Sequence, residues 1–162
     1  MDIHIDWDGP FSIDDLGGLK DEGVDYGVYQ IYGGHPVYGS NVLLYIGKAV
    51  DQTFGKRISQ EGWEDNRDSG NIEIYVGRLS GNKTPESGKW DLEISLAESL
   101  LIYSHKPAFN AQCIKSAPTK GLENVHVFNW VAHRDLMAEV SGLRWKPREE
   151  LNEYIYYGMH EE

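Results

Sequence analysis

Two tyrosines, Tyr29 and Tyr45, each stand two residues from a glycine, Gly27 and Gly47, inside strand-like segments at 27–32 and 43–48. Side chains alternate across a strand with period two, so each tyrosine shares a face with its glycine. A hairpin of the two segments would bring two phenols together beside two positions that carry no side chain. Such phenols can orient a water or exchange a proton with it. An unperturbed tyrosine titrates near pH ~10, however, and needs a nearby cation to act as a base at neutral pH. Lys48 or a bound metal could supply that cation, but Lys48 has a strand parity opposite to that of Tyr45. It reaches the same place only if the strand ends or twists at Gly47.

A carboxylate provides the second chemical signal. The spacing predicts a helix over 92–104, capped by Asp91, in which Leu92, Leu96, Leu100 and Tyr103 follow one row and Ile94, Glu98 and Ile102 another. Burying an ionised Glu within an apolar row is costly without a partner, so Glu98 should meet a metal, a base or water in a cleft. The six histidines and the single Cys113 show no ligand spacing, and no structural zinc is expected.

The elements that must position these groups follow from pattern and punctuation. Residues 1–25 read as an acidic arm with a short strand, in which Ile3, Ile5 and Trp7 alternate with polar residues, then a turn and a short helix from Ser12. The first core strand covers about 26–32 and the second about 42–48, joined by a turn-rich connector at 33–41. A helix carrying Lys56 and Arg57 runs from about residue 50 to Gly62, and a half-buried strand covers 71–79. Residues 80–89 read as a surface loop, and Pro107 stops the Glu98 helix. Beyond lie a strand at 125–131, a helix at 134–140 and an aromatic segment at 147–157.

With 162 residues, one domain is expected, and the lone cysteine makes an internal disulfide impossible. No apolar run approaches membrane-spanning length, so a cytoplasmic chain without a membrane partner is expected. The net charge of −11 argues against tight non-specific binding to nucleic acid. Its distribution softens that inference, because residues 27–121 carry ten acids and ten bases while the flanks hold the excess. The middle section can still present a basic face, and the acidic flanks suit a protein contact or a second subunit.

The order of these features resembles the GIY-YIG nuclease family over about residues 26–112. The resemblance rests on Gly27-Val28-Tyr29, on Tyr45-Ile46-Gly47-Lys48-Ala49, on Arg57 in a helix, on Glu98 in a later helix and on Pro107-Ala108-Phe109-Asn110. It implies an α+β fold with a central three-stranded antiparallel sheet flanked by helices, a core at 26–118 and a C-terminal extension at 119–162. The implied activity is hydrolysis of DNA, duplex or branched, with one magnesium or manganese ion per site held by Glu98. Arg57 would grip the scissile phosphate, and Tyr29, ahead of Tyr45, would act as base with help from Lys48. Asn110 would hold the helix-to-loop junction, and Gly27 and Gly47 would leave room for phenols or phosphate.

Lys48, Lys56, Arg57, Arg67 and Lys106 are the expected nucleic-acid contacts. The family often places a histidine one helical turn after the arginine, and this chain has Gln60-Glu61 there. A carboxylate at that point would repel phosphate unless it turns away. The alternative expectation is therefore a weak or inactive module of the same fold that binds nucleic acid or protein.

Overall fold

The structure is a computed structural model that describes residues 1–63, 71–115, 121–145 and 158. Strands β1 (Asp2–Phe11), β2 (Gly27–His35), β3 (Gly39–Ala49), β4 (Glu73–Ser80), β5 (His126–Val131) and β6 (Glu139–Ser141) alternate with helices α1 (Phe54–Ser59) and α2 (Ser87–His105). The strands form one α+β sheet in the order β3-β2-β4-β1-β5-β6. Arg67 and the segment at 147–157 lie outside the described residues.

The expected three-stranded antiparallel sheet is one half of this larger one, with β2 between β3 and β4. The correction lies in the other half. β1 is an inner strand, antiparallel to β4 and parallel to β5. Its alternating Ile3, Ile5 and Trp7 are 2%, 0% and 2% exposed, apolar area that an isolated arm would have left in water. Gly77 of β4 makes room for them, since a Cβ there would stand 2.6 Å from Ile5 and 2.9 Å from the Trp7 ring. The sheet thus runs through all three stretches that composition separates.

The hairpin is longer than its turn-rich sequence suggests. β2 and β3 extend to His35 and Gly39, which pair with each other, so most of the expected connector is strand. α2 likewise starts earlier than the expected Asp91 cap, with Glu86 as N-cap, and takes up part of the expected loop. Its buried residues are Ile94, Ala97, Leu100, Leu101 and Ile102, while Leu92 is 51% exposed. The sheet therefore buries Ile94 and Ile102 of one row but only Leu100 of the other.

No helix forms at 134–140. Arg134 has a positive φ of 53, its guanidinium lies 3.9 Å from the Tyr32 ring centroid and pairs with Glu73, and Val140 joins β6 opposite Val127. Tertiary contacts override the helical spacing there.

Two apolar clusters sandwich the β2-β3-β4 half. One joins Ile3, Ile5, Trp7, Val28 and Ile46 to α2, and the other joins Tyr29, Ile31, Ile74 and Val76 to Phe54 and Ile58 of α1 and to Leu16 and Leu19. Among the described residues no helix is long and apolar enough to cross a membrane.

Candidate active site

The hairpin register sets Tyr29 opposite Gly47, and the two tyrosine rings lie 6.2 Å apart on the α1 side of the sheet. Gly47 is what permits this. A Cβ at that position would lie 2.5 Å from the Tyr29 hydroxyl and 2.7 Å from the Tyr45 ring. Gly27 has a different task. Its φ is +146, and a Cβ there would stand 2.1 Å from the Gly77 carbonyl oxygen, so it admits the backbone of β4 rather than a phenol or a phosphate.

Tyr29 is 0% exposed, and its hydroxyl donates to Glu61 Oε1 at 2.6 Å. The Trp63 indole N–H donates to Glu61 Oε2 at 2.8 Å, and Arg57, one helical turn before Glu61, reaches Oε1 at 3.2 Å. Glu61 is therefore the centre of the cluster. In sequence its only mark is its spacing after Arg57, and a carboxylate there is expected to turn away. It turns inward because three donors converge on its two oxygens.

Burial, followed by the negative charge of Glu61, pushes the Tyr29 phenol far above the usual tyrosine range. Tyr45 is half-buried and is also raised, by burial first and then by Glu61 and Glu98, with Arg57 pulling the other way. One consequence is measurable. Glu61→Gln removes a negative charge that disfavours the Tyr45 phenolate, so the Tyr45 midpoint should fall. Ultraviolet titration of tyrosinate, taken as the difference from a Tyr45→Phe protein, reads this directly. An unmoved midpoint would mean that Glu61 does not act on Tyr45 electrostatically.

Glu98 projects from α2 and meets Lys48, with Nζ to Oε2 at 3.1 Å. Lys48 also donates to Ser95 Oγ at 3.1 Å. Burial raises the Glu98 pKa, while Lys48 and Arg57 hold it back. Lys48 keeps its strand parity and faces α2, away from the Tyr45 side. The two sides meet because β3 stops at Ala49. A cleft of about 200 Å³ opens beyond that end, lined by Lys48, Val50, Asp51, Gln52, Arg57 and Glu98. Glu61 and the two tyrosines stand beside Arg57 without lining the cleft themselves.

Asn110 is buried and pairs with the Ile46 backbone in both directions, accepting from its N–H at 3.0 Å and donating to its carbonyl at 2.8 Å. Ala108 and Phe109 donate backbone N–H groups to Leu43 and Leu44. These contacts cover the outer edge of β3 and hold Tyr45 and Gly47 in place, which makes Asn110 a positioning residue.

Of the expected nucleic-acid contacts, Lys48 and Arg57 border the cleft. Lys56 pairs with the exposed Glu22 at 3.2 Å, and Lys106 donates to the Ile114 carbonyl while lying 3.6 Å from the Tyr103 ring centroid. The structure does not bring those two to the cleft.

Gln52 Oε1 is buried without a hydrogen-bond partner among the described residues, and it lines the same cleft as Glu98. The half-buried Glu98 carboxylate, an orphaned amide oxygen and Asp51 are hard oxygen donors of the kind magnesium takes. No group of three His, Cys, Asp or Glu residues converges among the described residues. The donors therefore fit a water-rich ion with few protein ligands, and Glu98 Oε2 is shared with Lys48. No family model, curated protein or solved structure matches the chain.

Proposed function

We propose that this chain is a metal-dependent endonuclease of the GIY-YIG type, hydrolysing DNA phosphodiester bonds at the cleft beyond β3. The observation that carries the reading is the convergence of Lys48 from β3, Arg57 from α1 and Glu98 from α2 on one cleft, with both tyrosines behind Arg57. Two cations flanking a half-buried carboxylate suit a phosphoryl group that gains charge as water attacks it. Arg57 binds a phosphate oxygen, and Lys48 neutralises the charge that develops beside it or on the departing oxygen. Magnesium or manganese at Glu98 would supply Lewis-acid polarisation of the phosphoryl oxygen.

A tyrosine takes the proton from the attacking water only as a phenolate, so it must first lose its own proton to solvent, with Arg57 offsetting the burial that disfavours the charged form. Tyr45 is the better placed of the two, because Tyr29 is fully buried and already donates to Glu61. Tyr29 and Glu61 then serve to hold Arg57 against the cleft. Cleavage leaves a 5′-phosphate.

A second reading is a binding module of the same fold that does not turn over. It is favoured by the contact of Glu61 with Arg57 at 3.2 Å, because a phosphate must compete with that carboxylate. Purified protein incubated with supercoiled, linear, flap and branched DNA separates the two. The enzyme reading expects nicking that requires magnesium or manganese and falls by about 10²-fold or more in Tyr45→Phe. Binding of DNA without cleavage in either metal establishes the module instead.

A further inference from the structure

The half of the sheet built from β1, β5 and β6 buries one face against α2 and leaves a chemically unusual set of side chains on the other. The register aligns Asp2 with His126, His4 with Phe128 and Asp6 with Trp130, and sets Glu139 beside Phe128. The rings form a nearly parallel stack, with Phe128 packed against both histidines and Trp130 at its open end. His4 stacks on Phe128 with centroids 4.8 Å apart and planes 10° apart, and His126 stacks on Phe128 at 4.5 Å and 2°. Trp130 lies within 20° of both His4 and Phe128, and its indole N–H donates to His4 Nδ1 at 3.1 Å. Trp130 nevertheless remains 49% exposed, and the neighbouring Val131 is 82% exposed. This is a preorganised aromatic surface open to solvent.

Its rim is acidic. Asp2 and Asp6 are exposed and make no ion pair with a described residue, and the exposed Glu139 pairs with His126 at 3.5 Å. Asp8 shares Arg78, whose guanidinium is held more closely by the buried Asp25 at 2.6 Å. Arg78 is thus already engaged; at the Asp2 end of the face Lys83 and Lys89 line a pocket with Asp2 and His4, and Lys89 pairs with Glu93 at 3.6 Å, which leaves the acidic rim beside Trp130.

Exposed rings on a sheet can stack nucleobases, but unpaired carboxylates beside them would repel every phosphate. A guanidinium satisfies both features. It is planar and weakly hydrated, stacks on aromatic faces and pairs with a carboxylate through two parallel hydrogen bonds. A lysine ammonium has the charge without the plane.

We propose that this face binds an arginine-bearing segment of a partner protein, with a guanidinium against the exposed Trp130 indole and paired to Asp6. The site is separate from the cleft beyond β3 and does not depend on its activity.

The test is fluorescence anisotropy of a labelled peptide of alternating arginine and serine, titrated with the full chain at physiological salt. A lysine–serine peptide and a single-stranded oligothymidine serve as comparators. The arginine peptide should bind at least about fivefold more tightly than the lysine peptide. Trp130→Ala and Asp6→Asn should each weaken it by about five- to tenfold. Asp14→Asn, which removes an equal charge from an exposed position elsewhere, should change it by less than about twofold. Asp6 is exposed, so its variant reports on binding even if Trp130→Ala disturbs the sheet.

Equal affinity for the two peptides, or an equal loss in Asp14→Asn, would show attraction to net charge alone and overturn the proposal. Oligothymidine binding that is lost in Trp130→Ala would assign the face to nucleic acid, and self-association lost in the same variant would assign it to a second copy of the chain. Either outcome also overturns it.

Discussion

Glu98→Gln should abolish DNA cleavage, lowering the rate by at least about 10³-fold, and leave the protein as stable as before or more stable. Burial raises the pKa of this carboxylate above the ordinary glutamate value of 4.5. A group with a raised folded pKa favours the fold when protonated, and that contribution is lost as pH rises through the folded value. Near neutrality the charged Glu98 therefore works against the fold, partly offset by Lys48 and Arg57. Glutamine keeps the shape and removes the charge, and the partly exposed Lys48 stays hydrated.

Thermal melts across pH should show the variant gaining on wild type as pH rises above 4.5 and the two converging in acid. Retained cleavage by the variant removes the proposed metal ligand. A marked loss of stability at neutral pH would instead identify Glu98–Lys48 as a structural ion pair. Lost cleavage with stability retained or gained is the pattern expected of a residue that serves chemistry at the expense of stability.

Gly27→Ala should have the largest effect on folding, destabilising by about 3–5 kcal/mol from the backbone clash together with the positive φ. The methyl would have to displace the Gly77 carbonyl of β4, 2.1 Å away, at a φ of +146. β2 is paired on its other side to β3, so the strand cannot move aside without breaking the hairpin. A melting temperature lower by roughly 10 °C would follow for a chain of this size.

Gly47→Ala meets side chains rather than backbone. It should cost less, about 1–3 kcal/mol, while displacing Tyr29 and Tyr45 and removing activity. Urea unfolding of both variants separates the two roles. Equal stability of Gly27→Ala and wild type would mean that the close approach to Gly77 is not limiting.

The two glycines show how far a spacing argument reaches. Both sit two residues from a tyrosine, and in sequence they look equivalent. The difference arises from neighbours: Gly47 lies opposite Tyr29 in the hairpin, whereas Gly27 lies against a strand that begins forty-six residues later. Glu98 was legible because an ionised side chain within an apolar helical row demands a partner. Which partner it meets was not, and the answer, Lys48, follows from the packing of α2 on the far face of β3. Glu61 was the hardest to read, since nothing local tells a carboxylate at a helix end whether to face water or a buried phenol.

By itself the sequence determined the paired tyrosines of the hairpin, the helix that carries Glu98, the strands at 71–79 and 125–131 and the acidic bias of the flanks. All of these follow from side-chain period, turn chemistry and composition, which act over a few residues. Only the tertiary structure decided that β1 is an inner strand, with the Trp7 indole donating to Asn129 at 2.9 Å across 122 residues of chain. It also decided that residues 134–140 are not helical, that Glu61 turns inward and that one face of the β1-β5-β6 half carries aligned rings. Strand partnership and the direction of a polar side chain depend on what the rest of the chain places beside them, and periodicity carries no record of that choice.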